Sequence, residues 1–100
     1  MLFNLSLDRL YDMIENFNSL IKEYNDIIAS NGGITIELVE SSYRFEDVRS
    51  ELLRLINTIK IELIIANGLY DKIKLTYPNF ESDRLLEYNN FYDSNKSIKS

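Results

Sequence analysis

The sequence predicts a mainly all-α protein, a long antiparallel helical hairpin followed by a short C-terminal helix. Apolar residues recur at alternating steps of three and four through 7–28, and a second such series runs through 45–66, with one step falling on Arg49. This spacing is typical of helices that pack lengthwise against another helix. Asn31-Gly32-Gly33 separates the two series. Consecutive amphipathic helices with a short connection usually pack antiparallel within one chain, which gives the hairpin.

The first helix is predicted over 7–30. Asn4 or Ser6 is expected to cap it with a side-chain oxygen, and Asp8 would then lie in the first turn, near the positive end of the helix dipole. Asn31-Gly32-Gly33 is expected to end it, because Asn and Gly tolerate the left-handed conformation. The apolar seam consists of Leu7, Leu10, Ile14, Phe17, Ile21, Tyr24 and Ile28, with Phe3 one step upstream.

The connection contains an ambiguous segment. Residues 34–38 alternate apolar and polar side chains after a glycine pair, which favours a short strand. The alternative is that they lead into the next helix. Residues 73–77 also alternate, so a minor two-stranded element formed by these two segments is an open alternative to helix at 73–77.

The second helix is expected to begin after a Ser41 or Ser42 cap, with Glu46 in its first turn. A wide apolar stripe predicts that this helix is the central element and contacts more than one neighbour. The spacing continues past Asn67-Gly68, which predicts a kink or restart there, with Gly68 as a terminating cap in the alternative. The seam comprises Phe45, Leu52, Ile56, Ile59, Leu63 and Ala66, and Leu53, Leu55, Ile64 and Ile65 widen it.

A third helix is predicted over 81–92. Pro78 closes the preceding segment because proline disfavours helix in the residue before it. Asn79 or Ser82 is expected to cap the third helix. Its apolar side would carry Leu85, Tyr88 and Tyr92.

Length and composition limit the classes of function that this chain can have. A chain of 100 residues is one domain, predicted over 1–92 with a frayed polar tail over 93–100. The absence of Cys and His excludes disulfides, the usual zinc sites and catalytic sets that pair a nucleophile with His. We therefore expect a protein that is not an enzyme and that holds no cofactor and no metal.

The net charge of −5 disfavours direct binding to nucleic acid or to an anionic membrane, since both need a basic footprint. No apolar run approaches the roughly 18 residues of a membrane span, and the start does not resemble a secretory signal. We expect a cytoplasmic protein, in the host cytoplasm if it is viral. Its richness in Asn, Ile, Lys and Tyr, which have AT-rich codons, suggests a phage or mobile-element origin.

Aromatic residues are concentrated near the C-terminus. Tyr is favoured at interfaces because it combines a large apolar body with a polar tip. The predicted partner-binding surface consists of Tyr77, Phe80, Tyr88, Phe91 and Tyr92. Phe91 and Tyr92 are its expected anchors. The alternative is that these rings cover the end of the core.

One face of the first helix, opposite the seam, is acidic. It carries Asp8, Asp12, Glu15, Glu23 and Asp26. Such a row could imitate phosphates and occupy a basic groove of a nucleic-acid-binding protein. The alternative is an ordinary solvated helix face, and Arg9 and Lys22 interrupt the row.

Together these features predict a small non-enzymatic module for protein–protein interaction or assembly, acting through helix packing and the C-terminal aromatic surface. The partner would be another protein or a second copy, and a homodimer is consistent with the regular heptad spacing. One alternative is an acidic inhibitor of a basic host or defence protein. The other is a structural component of a larger assembly.

Overall fold

The computed structural model describes residues 2–33 and 43–97, and it contains three helices in this part of the chain. They are α1 (Leu2–Ser30), α2 (Tyr43–Thr76) and α3 (Asp83–Asn95). α1 and α2 pack lengthwise, and α3 contacts both. Ion pairs and ring contacts join the start of α1 to the end of α2, so the two helices are antiparallel. The predicted all-α hairpin with a short third helix is confirmed.

The core is built from the predicted seams. α1 buries Phe3, Leu7, Leu10, Ile14 and Phe17, α2 buries Phe45, Val48, Leu52, Leu55, Ile56, Ile59, Leu63 and Ala66, and α3 adds Leu85 and Tyr88. α3 runs back along the first half of α1, where Phe91 meets Phe17. Beyond that point the described residues form two helices, which the stacked rings of Tyr24 and Phe45 join at 5.2 Å. The later seam residues of α1 are consequently only half-buried.

α1 begins at Leu2 rather than at residue 7, and this prediction was wrong. Asn4 and Ser6 therefore do not cap it, and Asp8 lies beyond the first turn. The cause is Phe3, which is buried against the rings of Tyr70 and Phe80. Burial of an aromatic side chain is strongly favourable and holds the first turn in the helix.

The end of α1 agrees with the prediction. Gly32 and Gly33 both have positive φ, at 75° and 126°. The amide of Gly33 donates to the carbonyl of Ile28 at 2.9 Å, which satisfies one of the free carbonyls of the last turn. Residues 34–38 lie outside the described part of the chain, and so do Ser41 and Ser42.

α2 runs through Asn67 and Gly68 without the predicted restart. The Asn67 side-chain amide donates to the carbonyl of Leu63 at 2.8 Å and exchanges hydrogen bonds of 3.0 and 3.1 Å with the amide of Asn89 in α3. These contacts stabilise the helix at Asn67 and Gly68, where the sequence alone predicts an interruption. The strand alternative for 73–77 is also wrong, because α2 remains helical to Thr76.

The third helix begins and ends close to its predicted bounds. Ser82 caps it, and its Oγ accepts a hydrogen bond from the Leu85 amide at 3.2 Å. α3 continues to Asn95, three residues beyond the predicted end. Glu46 lies in the first turn of α2, as predicted.

A buried polar contact crosses the interface of α1 and α2. Ser6 and Glu62 are both buried. The Ser6 hydroxyl donates to Oε2 of Glu62 at 2.5 Å, and Nε of Arg9 donates to Oε1 at 3.3 Å. A buried carboxylate is costly unless its oxygens are hydrogen-bonded, so only one alignment of the two helices satisfies it.

We predict that Ser6→Ala lowers the free energy of unfolding by about 1–3 kcal/mol, because the buried Glu62 carboxylate loses one of its two donors. Adding Glu62→Leu should recover most of that loss, since the buried carboxylate with its unsatisfied oxygen is then removed. Urea denaturation of both variants measures this coupling. Ser19→Ala, at an exposed position of α1, is the matched control and should stay within about 0.5 kcal/mol of wild type. A double variant less stable than Ser6→Ala would contradict the coupling.

Candidate interaction surfaces

An apolar cavity opens at the end of the rod where α1 begins and α2 ends. It has a volume of about 260 Å³ and is lined by Phe3, Asn4, Ile73, Tyr77 and Phe80. The rings of Phe3 and Phe80 meet edge to face at 5.8 Å. The Tyr70 hydroxyl donates to the carbonyl of Phe80 at 3.1 Å and fixes the loop that closes the cavity. We call this region the aromatic end.

The structure divides the five aromatic residues of the predicted surface. Tyr77, which is 66% exposed, and Phe80 lie at the aromatic end. Tyr88 is buried, and its hydroxyl accepts a hydrogen bond from Arg84 at 3.1 Å. Phe91 and Tyr92 pack against the core. These five side chains therefore do not form one continuous surface.

The expected anchor Phe91 lies in the contact between α1 and α3. Its ring meets Phe17, which is fully buried, edge to face at 5.5 Å. This arrangement follows from the direction of α3, which carries residues 88–92 away from the aromatic end and along α1. At the aromatic end, Phe3 of α1 and Ile73 of α2 line the cavity in their place. The sequence signal for Phe3 was its position one step upstream of the first seam.

The acidic face of α1 is partly neutralised by arginines of the other helices. Asp8 pairs with Arg84 of α3 at 3.3 Å. Glu23 accepts two hydrogen bonds from Arg44 of α2, one of them from Nη2 to Oε1 at 2.6 Å. Hydrogen bonding from the Arg44 guanidinium lowers the pKa of Glu23 below its ordinary value. These pairs stabilise the helix packing and reduce the negative potential of the row.

The remaining acidic residues of this face, Asp12, Glu15 and Asp26, are exposed. Within 2–33 and 43–97 none of the three has an ion-pair partner. The structure thus leaves a shorter acidic row than the sequence indicates. A few separated carboxylates on one solvated helix face are common on helical proteins and do not by themselves define a site.

The outer face of α2 is the third surface. It carries Ile61, Ile64, Ile65 and Leu75, which are 46–85% exposed. α2 does contact both other helices, as its wide stripe predicted. Ile64, however, lies about 140° around the helix axis from the buried Ile59, and Ile65 about 160° from the buried Leu63. Both side chains therefore point away from the buried side of α2. α2 therefore presents an apolar side that no described residue covers.

The described helices include no segment with the length and apolar character needed to cross a bilayer. In the same part of the chain, carboxylates do not gather in any group of three or more that could hold a metal ion. No family model, no curated protein and no solved structure matches this chain. The candidate surfaces therefore rest on geometry and chemistry alone.

Replacing an aromatic residue that packs against the core should affect stability differently from replacing one that is exposed at the aromatic end. Phe91→Ala should lower the free energy of unfolding by about 2–3 kcal/mol, because it removes the ring that covers Phe17. Tyr77→Ala should change it by less than about 0.5 kcal/mol, because that ring is largely exposed. Chemical denaturation followed by circular dichroism gives both values. Equal, small effects of the two variants would place Phe91 at the surface, as the sequence predicts.

The Glu23–Arg44 pair predicts a pH dependence. The folded-state pKa of Glu23 is lowered, so the stabilisation is fully present above the unfolded-state pKa of about 4.3 and is lost as the pH falls through the lower folded-state value. Wild type should therefore melt at a higher temperature than Glu23→Gln at pH 7, and this difference should shrink at pH 3. Asp26→Asn, at an exposed carboxylate, is the control. An undiminished difference at pH 3 would contradict the role of the ion pair.

Proposed function

We propose that this protein is a non-enzymatic interaction module that binds a protein partner at the aromatic end. The observation that supports the proposal is the apolar cavity between Phe3, Ile73, Tyr77 and Phe80. A concave apolar pocket with aromatic walls is the usual seat of an anchoring side chain at a protein interface.

The size of the cavity indicates the kind of ligand. Sites for whole small molecules usually enclose about 300–1,000 Å³, and this cavity is smaller, at about 260 Å³. It suits one large apolar side chain of a partner. The exposed ring of Tyr77 would then lie against the backbone next to that side chain and could hydrogen-bond through its hydroxyl.

Two walls of the cavity, Phe3 and Phe80, are held by contacts within the described residues. Phe3 is held between Tyr70 and Phe80, and the Tyr70 hydroxyl anchors the Phe80 carbonyl. A preformed site loses little conformational entropy on binding, so more of the contact energy appears as affinity. This rigidity favours the specific binding of one apolar anchor side chain over nonspecific hydrophobic association.

The two alternative functions use other parts of the protein. An inhibitor of a basic protein would use the exposed carboxylates of Asp12, Glu15 and Asp26. The pairing of Asp8 and Glu23 with arginines reduces the negative potential of that surface. We therefore favour the aromatic end as the binding site. A structural component would need extended contacts along the rod. The proposed setting is the cytoplasm, and a phage or mobile-element source is a hypothesis from composition.

The test is selection from a displayed peptide library with the whole protein as bait, followed by titration of the selected peptides. We expect enriched peptides to share an apolar or aromatic anchor, and Tyr77→Ser to weaken their binding at least about tenfold. Tyr11→Ser is the matched control, because Tyr11 is an exposed tyrosine of α1 outside the cavity. Its affinity should stay within about twofold of wild type.

Two results would overturn the proposal. One is the absence of any peptide that binds in solution. The other is binding that Tyr77→Ser and Tyr11→Ser weaken equally. Circular dichroism of both variants shows that the fold is retained, as the exposure of the two rings predicts.

A further inference from the structure

We propose that the outer face of α2 binds the same face of a second copy of this chain, with the two α2 helices antiparallel about a two-fold axis. This surface is separate from the aromatic end, whose Ile73 and Tyr77 lie on the other side of α2. The inference therefore stands independently of the proposed function.

The first argument is the apolar pattern. Single exposed apolar side chains are normal on protein surfaces, but here four lie on one helical face, three of them within 61–65. They are Ile61, Ile64, Ile65 and Leu75, and the buried seam occupies the opposite side of the same helix. A helix that is apolar on both sides is characteristic of a buried helix, and in the described monomer only one side of α2 is covered.

The second argument is Gly68, which lies on this face between Ile65 and Leu75. A glycine inside a helix costs about 1 kcal/mol relative to alanine. Nothing within the described monomer requires it, since a Cβ at this position would meet no atom within 4 Å. An antiparallel second copy gives the glycine a role: its Ile64 side chain can settle over Gly68, and the two-fold axis repeats this contact.

The third argument is charge. Lys60 and Asp71 are exposed on the same edge of this face, and no ion pair engages either of them in the described ranges. In an antiparallel pair, equal edges of the two helices face each other. The register that sets Ile64 against Gly68 brings Lys60 to within one residue, about 1.5 Å along the axis, of Asp71 in the second copy. Two such pairs would flank the apolar contact.

The fourth argument is size. A stable dimer buries about 800 Å² on each partner. The register that sets Ile64 against Gly68 overlaps residues 56–76 of the two α2 helices, about 30 Å of their length. Across the 17 Å width of the rod this overlap is roughly 500 Å² on each copy, which is the range of a weak, reversible dimer. The face also carries Lys60 and Lys72, so the acidic excess of the chain is not concentrated here and does not oppose pairing.

The test begins with sedimentation equilibrium of the whole protein over a concentration series. We expect a monomer–dimer equilibrium in wild type and a monomer for Ile64→Asp, because that change places a charge in the apolar contact. Leu86→Asp is the matched control, since Leu86 is 61% exposed on α3 and Ile64 is 64% exposed on α2. It should dimerise like wild type, and circular dichroism should show equal helicity for both variants.

Charge reversal tests the register. Lys60→Glu and Asp71→Lys should each raise the dimer dissociation constant about tenfold, because each turns two attractive pairs into repulsive ones. The double variant Lys60→Glu/Asp71→Lys should return it to within about threefold of wild type. Gly68→Gln gives a further readout: it should raise the melting temperature of the monomer through helix propensity while weakening the dimer.

Three outcomes would overturn the proposal. One is a monomeric wild type at all concentrations. A second is a dimer that Ile64→Asp leaves intact, and a third is a double charge variant no tighter than the single ones. If the wild type is monomeric and Ile64→Asp instead weakens peptide binding, the face serves a different protein. Peptide binding that depends on Tyr77 and survives Ile64→Asp keeps the proposed function whether or not the dimer forms.

Discussion

The structure depends on the alignment of α1 and α2, and the buried contact of Ser6 with Glu62 defines that alignment. Two apolar seams could slide past each other by one heptad, about 10 Å, and bury similar areas. A buried carboxylate removes that freedom, because its oxygens find their donors at one position only. This alignment sets Phe3 beside Tyr70 and Phe80, which creates the aromatic end and extends α1 to Leu2.

α3 determines which surfaces stay open. It is bound to α1 through Phe17–Phe91 and Asp8–Arg84, and to α2 through the amides of Asn67 and Asn89. All these contacts lie on one side of the hairpin. The helix therefore completes the core over the first half of α1, and among the described residues none covers the outer face of α2. A single short helix cannot cover both sides of a hairpin, so an uncovered apolar face follows from the architecture.

The sequence predicts the features that depend on local pattern and misses those that depend on distant partners. The two seams, the Gly32-Gly33 turn and the Ser82 cap are local, and each was predictable. The continuity of α2 through Gly68 depends on the contact between Asn67 and Asn89, twenty-two residues apart. The division of the aromatic residues depends on the direction of α3, which periodicity does not encode. The burial of Glu62 depends on its donors Ser6 and Arg9 on α1, and the periodicity of α2 does not indicate those partners.

The two sides of α2 share one design. On the inner side an apolar seam is aligned by a polar contact, Ser6 with Glu62. On the outer side a second apolar stripe is accompanied by Gly68 and by Lys60 and Asp71, neither of which forms an ion pair within 2–33 and 43–97. The burial of apolar surface is favourable but does not select one alignment of two helices. A helix with an apolar stripe on each side therefore needs a separate polar or steric contact on each side to fix its alignment with a neighbour. In the proposed antiparallel dimer, Gly68 and the Lys60–Asp71 edge would provide that contact on the outer side, because the two-fold axis brings each of these features to its complement twice.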